Sequence, residues 1–126
     1  MTQFLIDTNI VLWLVDNNPR VNSVRSLLFS EDAQVFISVV SWWEIATKIR
    51  RGKLKVDMEQ IRFEYWEKGF LELPVNGNCL KAYLELPDLH KDPFDHMLLA
   101  QAVAEPMRFI TGDALLADYS SLVMLV

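Results

Sequence analysis

Cysteine and histidine are scarce in this chain, with one of the first and two of the second. A lone thiol closes no internal disulfide, and Cys79, His90 and His96 are too few and too scattered for a structural zinc site. The two histidines are read as surface or supporting residues. Positive charge is also short: a net charge of −5 leaves no global field for holding nucleic acid. Any such role must work through a local basic patch or through metal ions. No apolar run reaches the roughly 18 residues of a membrane span, the longest near the start being Ile10 to Val15. No Lys or Arg precedes that run as a signal peptide requires. The expectation is a soluble, unexported, cytoplasmic protein with no membrane attachment.

What is present is material for a core. Of 126 residues, 52% are hydrophobic, enough for one domain over residues 1–126 that hides roughly two thirds of its unfolded surface. The chain shows no repeat, low-complexity segment or linker.

The stretch Phe4-Leu5-Ile6-Asp7-Thr8-Asn9 sets the organisation: a short apolar strand that stops at a carboxylate. Open α/β sheets place their ligands at such C-terminal strand ends. Thr8 to Val15 follows as a helical segment, Asn17-Asn18-Pro19 makes a turn, and Val21 to Phe29 has helical spacing. Gln34 to Ser38 reads as a second strand; Ser38 or Ser41 caps a helix that runs to Arg51 and stops at Gly52. Asp57 starts a helix that ends at Gly69, and Phe70 to Leu73 is a short strand closed by Pro74. Asn76 caps a helix over Cys79 to Leu84, and Leu86-Pro87-Asp88 breaks the chain. Asp92-Pro93 opens a helix to about Glu105; Met107 to Thr111 is a fourth strand, Asp113 to Tyr119 a short helix and Leu122 to Val126 a last strand. This alternation predicts an α/β fold with a mostly parallel sheet of four to five strands and helices on both faces.

The helix after the second strand is unusually apolar. Val39, Trp42, Trp43, Ile45, Ala46 and Ile49 cover an arc of roughly 160° at 100° per residue, wider than one core contact needs. Trp42 and Trp43 cannot enter the same groove, so one of them meets a second helix, a subunit or a partner. Trp13 and Trp66 are assigned to ordinary core packing. Glu44 lies on the other flank with Thr47, Lys48 and Arg51.

Four acids share one address. Asp7 ends the first strand, Glu44 lies near the start of the helix after the second, and Asp113 follows the fourth through Thr111-Gly112. Asp95 stands in the first turn of the helix leading to that strand, on the stripe with Leu98, Leu99 and Ala102 that faces the core. Each has an ordinary reading on its own. Asp7 and Asp113 suit helix caps, Asp95 suits a capping box with Asp92, and Glu44 suits an i, i+4 pair with Lys48. All four converging on one end of one sheet is harder to read that way. Clustered carboxylates repel, so either some stay protonated or a hard divalent cation neutralises them. Oxygen-only donors favour Mg²⁺ or Mn²⁺ over zinc and suit metal-assisted phosphodiester hydrolysis.

Taken together, Leu5-Ile6-Asp7-Thr8-Asn9, Ser38 to Leu54 (SVVSWWEIATKIRRGKL), His90 to Ala102 (HKDPFDHMLLAQA) and Ile110 to Tyr119 (ITGDALLADY) resemble the PIN-domain proteins, specifically the VapC-type toxins of VapBC toxin–antitoxin pairs. The resemblance runs nearly end to end. It implies a three-layer α/β/α sandwich and a Mg²⁺- or Mn²⁺-dependent endoribonuclease. It further implies a homodimer, neutralised by a cognate VapB-type antitoxin whose tail occupies the active-site groove. By position the family's acids fall on Asp7, Glu44, Asp95 and Asp113, with Asn9 and Thr111 as supporting polar residues. Asp92 also matches an acidic position of its block, though it reads as a cap, and Leu116 stands where many relatives carry an aromatic residue. The basic run of Lys48, Arg50, Arg51, Lys53 and Lys55 then holds RNA phosphates, or forms a solvated helix end. Trp42 or Trp43 serves a dimer or antitoxin interface.

Rival chemistries fit less well. A haloacid-dehalogenase-type phosphatase also begins with a strand ending in Asp but wants a second Asp two residues on, where this chain has Asn9. A phospho-acceptor receiver domain needs adjacent acids at the start and a lysine after a late strand, and neither is found. The remaining alternative is a catalytically inactive PIN-like domain that only binds RNA or protein.

Overall fold

Phe4, Leu5 and Ile6 are all buried, with no inside–outside alternation, the mark of a strand covered on both faces. The computed structural model, which describes residues 1–88 and 92–126, accordingly places β1 (Thr2–Ile6) at the middle of a five-stranded sheet. Leu89, His90 and Lys91, and with them the expected role of His90, lie outside the described residues. The other strands are β2 (Ala33–Ser38), β3 (Leu71–Leu73), β4 (Arg108–Thr111) and β5 (Val123–Leu125), in the order β3-β2-β1-β4-β5. Every pairing is parallel, with Leu5 opposite both Phe36 and Phe109, and Ile6 opposite Ile110.

The α-helices are α1 (Thr8–Val15), α2 (Asn22–Leu28), α3 (Val39–Arg50), α4 (Met58–Glu67), α5 (Gly77–Glu85) and α6 (Pro93–Ala104), and 3-10 turns span Pro19–Val21 and Ala114–Tyr119. The short helix expected after Asp113 is this 3-10 segment, Ala114–Tyr119. Side chains of β1 divide by parity. Phe4 and Ile6 join Ile10, Val11, Leu14, Val24, Ile45, Ile61 and Tyr65 on one face, whereas Leu5 joins Leu98, Leu99, Ala102, Phe109 and Leu116 on the other. The result is a three-layer α/β/α fold. Each fully buried Leu, Ile or Phe contributes roughly 1.5–3 kcal/mol, which is why strands this short hold their place.

Helix ends follow their local chemistry. Asp7, Ser38, Asp57, Asn76 and Asp92 each cap a helix by accepting a backbone N–H. Gly52 and Gly69 follow α3 and α4 in the left-handed region, at φ 70° and 86°, which a Cβ disfavours. Trp42 is buried against Tyr65, and Trp43 is the exposed member of the pair. Trp66 departs from expectation. It is 67% exposed, because Ile61 and Tyr65 supply the face of α4 that packs on the sheet.

Topology sets where a ligand can enter. The chain steps outward from β1 through β2 to β3, then returns to the far side of β1 for β4 and β5. Neighbouring crossovers thus part company between the C-terminal ends of β1 and β4, the switch point where doubly wound sheets open a crevice. Among the described residues no helix is long and apolar enough to cross a membrane.

Candidate functional site

Asp7 and Thr111 end the two strands that flank the switch point. Asp7 Oδ1 accepts the Thr8 N–H at 2.7 Å, and Oδ2 accepts the Thr111 hydroxyl at 2.7 Å. Thr111 Oγ1 in turn accepts the N–H of Asp113 at 3.0 Å, and Asp113 caps the following 3-10 turn through the Leu115 N–H. One threonine therefore couples the ends of β1 and β4. Asp7 caps α1, and its carboxylate is only 3% exposed. Burial pushes its pKa up to about 6. The hydrogen bonds from Thr111 and Thr8 oppose that rise, and the charges of Glu44 and Asp113 add to it.

Asp95 occupies the first turn of α6, where Asp92 accepts the Phe94 N–H at 2.9 Å and the Asp95 N–H at 3.4 Å. Its neighbours Leu98, Leu99 and Ala102 are fully buried, as the helical stripe implies. Burial first, then repulsion from Asp7, Asp92, Glu44 and Asp113, pushes its pKa up to about 8. Asp7 and Asp95 thus lie within electrostatic reach of each other, and both of Glu44 and Asp113.

Glu44 reaches Lys48 at 3.6 Å, the ordinary i, i+4 pair. The pair does not account for the whole carboxylate: its side chain is 12% exposed, and Oε1 is buried with no hydrogen-bond partner among the described residues. A buried carboxylate oxygen without a donor is costly, and Glu44 lies within electrostatic reach of Asp7 and Asp95. Among the described residues no three Asp, Glu, His or Cys side chains form a ready-made cation shell. The donor chemistry nevertheless fits a hard divalent ion, because every contributor is a carboxylate oxygen.

Buried polar contacts tie the acid-bearing elements together. Thr8 Oγ1 donates to Ser41 Oγ at 3.0 Å, linking α1 to α3. Ser38 donates to Gln101 Oε1, and the Gln101 amide donates to the Pro74 carbonyl at 3.1 Å, linking α3, α6 and the end of β3. Ser41 and Gln101 are absent from the candidate set drawn from sequence. Gln101 did carry a signal, an amide inside the apolar run Leu98-Leu99-Ala100-Gln101-Ala102.

Beside Glu44 lies a recess of about 560 Å³ lined by Glu44, Thr47, Lys48, Arg51, Lys53, Asp92, Pro93 and Phe94. Lys48 and Arg51 belong to it, joined by Lys53, whereas Arg50 is exposed and outside its lining. Asn9 is exposed on the first turn of α1. Trp43, 64% exposed and edge-on to Phe94 at 4.9 Å, borders an apolar groove of about 480 Å³ with Val39, Val40, Tyr83 and Met97. His96 is buried, not at the surface, and stacks on Tyr83 at 4.3 Å.

The family model described as the PIN domain matches residues 4–122. Among solved structures, VapBC2 from Rickettsia felis bound to a promoter DNA fragment superposes with a TM-score of 0.74 at 16% identity, over 99% of this chain and 98% of that one. A toxin–antitoxin complex from Klebsiella pneumoniae gives 0.70 at 19% identity, covering 95% and 94%. VapBC-1 from nontypeable Haemophilus influenzae gives 0.70 at 15% identity, covering 98% of both chains. At those identities the likeness is one of fold. No curated protein matches the chain in sequence.

Proposed function

Because this chain belongs to the PIN-domain family, we propose that it is a Mg²⁺- or Mn²⁺-dependent endoribonuclease and the toxin of a toxin–antitoxin pair. The observation that carries this reading is the buried Glu44 Oε1, which has no hydrogen-bond partner among the described residues, within electrostatic reach of Asp7 and Asp95, whose carboxyls are pushed up to about 6 and about 8. Asp7, Glu44 and Asp95 would hold the ion, with Asp113 beside them. A hard divalent cation supplies the charge needed for water attack on a phosphodiester.

The chain's own residues do the rest. Thr111 and the Thr8 amide fix both oxygens of Asp7 so that its carboxylate presents one orientation. Lys48, Arg51 and Lys53 line the recess next to Glu44, where they would hold backbone phosphates in a protein that is otherwise acidic. The apolar groove at Trp43 suits a second copy or an antitoxin, and the complexes formed by the structural neighbours support that assignment.

The test is incubation of purified protein with a mixed RNA and Mn²⁺ or Mg²⁺, beside Asp7→Asn. The parent should cleave, and the variant should lose at least about a hundredfold in rate while keeping its circular dichroism spectrum. Equal cleavage by the variant, or none by the parent, removes the enzymatic reading and leaves an inactive RNA- or protein-binding domain. Turnover of small phosphate esters instead would favour a phosphatase.

A further inference from the structure

Trp13 has no part in the chemistry above, yet its indole touches the turn that carries two of the site residues. A methyl group added to Gly112 would stand 2.6 Å from Cη2 and 2.7 Å from Cζ3 of that ring. Such distances are well inside van der Waals contact, so the ring lies directly against the glycine. The Arg20 guanidinium sits over the same ring, 5.0 Å from its centroid. Unlike Gly52 and Gly69, Gly112 is not in the left-handed region, so its backbone conformation does not call for glycine. What excludes a side chain there is the indole.

We infer that Trp13 is a positioning residue. Its outer edge against Gly112 sets the course of the Thr111-Gly112-Asp113 turn, and through it the placement of Asp113 and of the hydroxyl that holds Asp7. The covalent order makes the coupling direct. Gly112 is flanked by Thr111, which donates to Asp7 at 2.7 Å, and by Asp113, whose amide donates back to Thr111 at 3.0 Å. Trp13 itself lies in α1, the helix that Asp7 caps, and the Asn18 N–H donates to its carbonyl at 2.9 Å. One aromatic side chain thus gauges the distance between the ends of β1 and β4. Its effect on catalysis rests on the nuclease reading; its hold on the turn does not.

The experiment is a double-mutant cycle of Trp13→Leu and Gly112→Ala, with Trp13→Phe in place of Leu if that variant does not fold. Two quantities are read: exchange of the Asp113 amide proton, and kcat and KM for RNA with Mn²⁺. Gly112→Ala alone should speed the exchange and lower kcat about tenfold, with KM within about twofold. In the Trp13→Leu background the same change should alter either quantity by less than about twofold. Folding of Gly112→Ala only in the background lacking the indole would be the same result in stronger form. An equal cost of Gly112→Ala in both backgrounds, failure to fold in both, or parental exchange and kcat in Trp13→Leu would overturn the inference. Should the parent cleave no RNA, the nuclease reading falls alone, and the exchange cycle still decides whether Trp13 holds the turn.

Discussion

On the α4 side of the sheet, Arg62 donates to Glu59 at 3.0 Å and to Glu72 at 2.9 Å, whereas at the ends of β1 and β4 burial and neighbouring acids raise the carboxyls of Asp7 and Asp95. The first cluster is exposed and satisfied within the fold. Hydrogen bonds from Arg62 to Glu72 and then to Glu59 hold its guanidinium above the usual range, and no carboxylate there is left buried without a cation. In the second, Asp7 is buried and Asp95 half-buried, and desolvation with repulsion from neighbouring acids raises them to about 6 and about 8. The contrast shows that the number of charges says less about a carboxyl's state than its burial and the sign of its neighbours.

The sharpest break of this contrast is Asp95→Asn in buffer free of divalent ions. Asp95 rises from 3.8 unfolded to about 8 folded, so the folded state binds the extra proton between those values. Its stabilisation is complete below about pH 4 and is lost as pH climbs through about 8. Asp7 behaves alike over the shorter window up to about 6. The parent's thermal midpoint without metal should therefore fall as pH rises from about 4 to about 8. Asp95→Asn should flatten that fall and add on the order of 1 kcal/mol at the upper end, a figure already reduced for partial solvent screening. Differential scanning calorimetry across the range decides it, and a midpoint that climbs with pH would contradict the cluster's electrostatics.

A smaller effect sharpens the local role of positive charge. Lys53→Ala or Arg51→Ala should raise KM for RNA about two- to fivefold and reduce the salt dependence of binding by about one phosphate contact each. Arg50→Ala, outside the recess, should change neither. Fluorescence anisotropy against ionic strength measures this, and equal losses for all three variants would dissolve the recess as a phosphate track.

The smallest effect belongs to the satisfied cluster. Glu72→Gln should cost less than about 1 kcal/mol, as exposed ion pairs do, and leave RNA cleavage at the parental rate. A loss of cleavage there would mean that the two clusters are not independent.

Much of this was legible in the residues. The apolar strand stopping at Asp7, the Asp92-Pro93 helix start and the Thr111-Gly112-Asp113 turn each follow from local chemistry, and each sits where expected. The placement of Asp95 on the side of α6 that carries the buried Leu98 and Leu99 followed from spacing, though Asp95 itself is only half-buried. Other features were not legible, because they depend on which neighbour happens to pack there. Adjacent tryptophans gave no sign that Trp42 would be buried and Trp43 exposed, and the wide apolar arc of α3 allowed either. Trp66 looked like core until Ile61 and Tyr65 took that face of α4. Ser41 was an ordinary polar residue until Thr8 met it, and the amide of Gln101 inside an apolar run signalled a buried partner without saying that it would be Ser38.

Local signals thus determined the order of strands and helices and the positions of the caps, because hydrophobic period and turn chemistry act over a few residues. Tertiary structure alone decided the strand order β3-β2-β1-β4-β5, the shared hydroxyl of Thr111 between Asp7 and Asp113, and the indole of Trp13 against Gly112. Those are contacts between segments up to about a hundred residues apart. No local preference encodes them: they exist only after packing has chosen which faces meet.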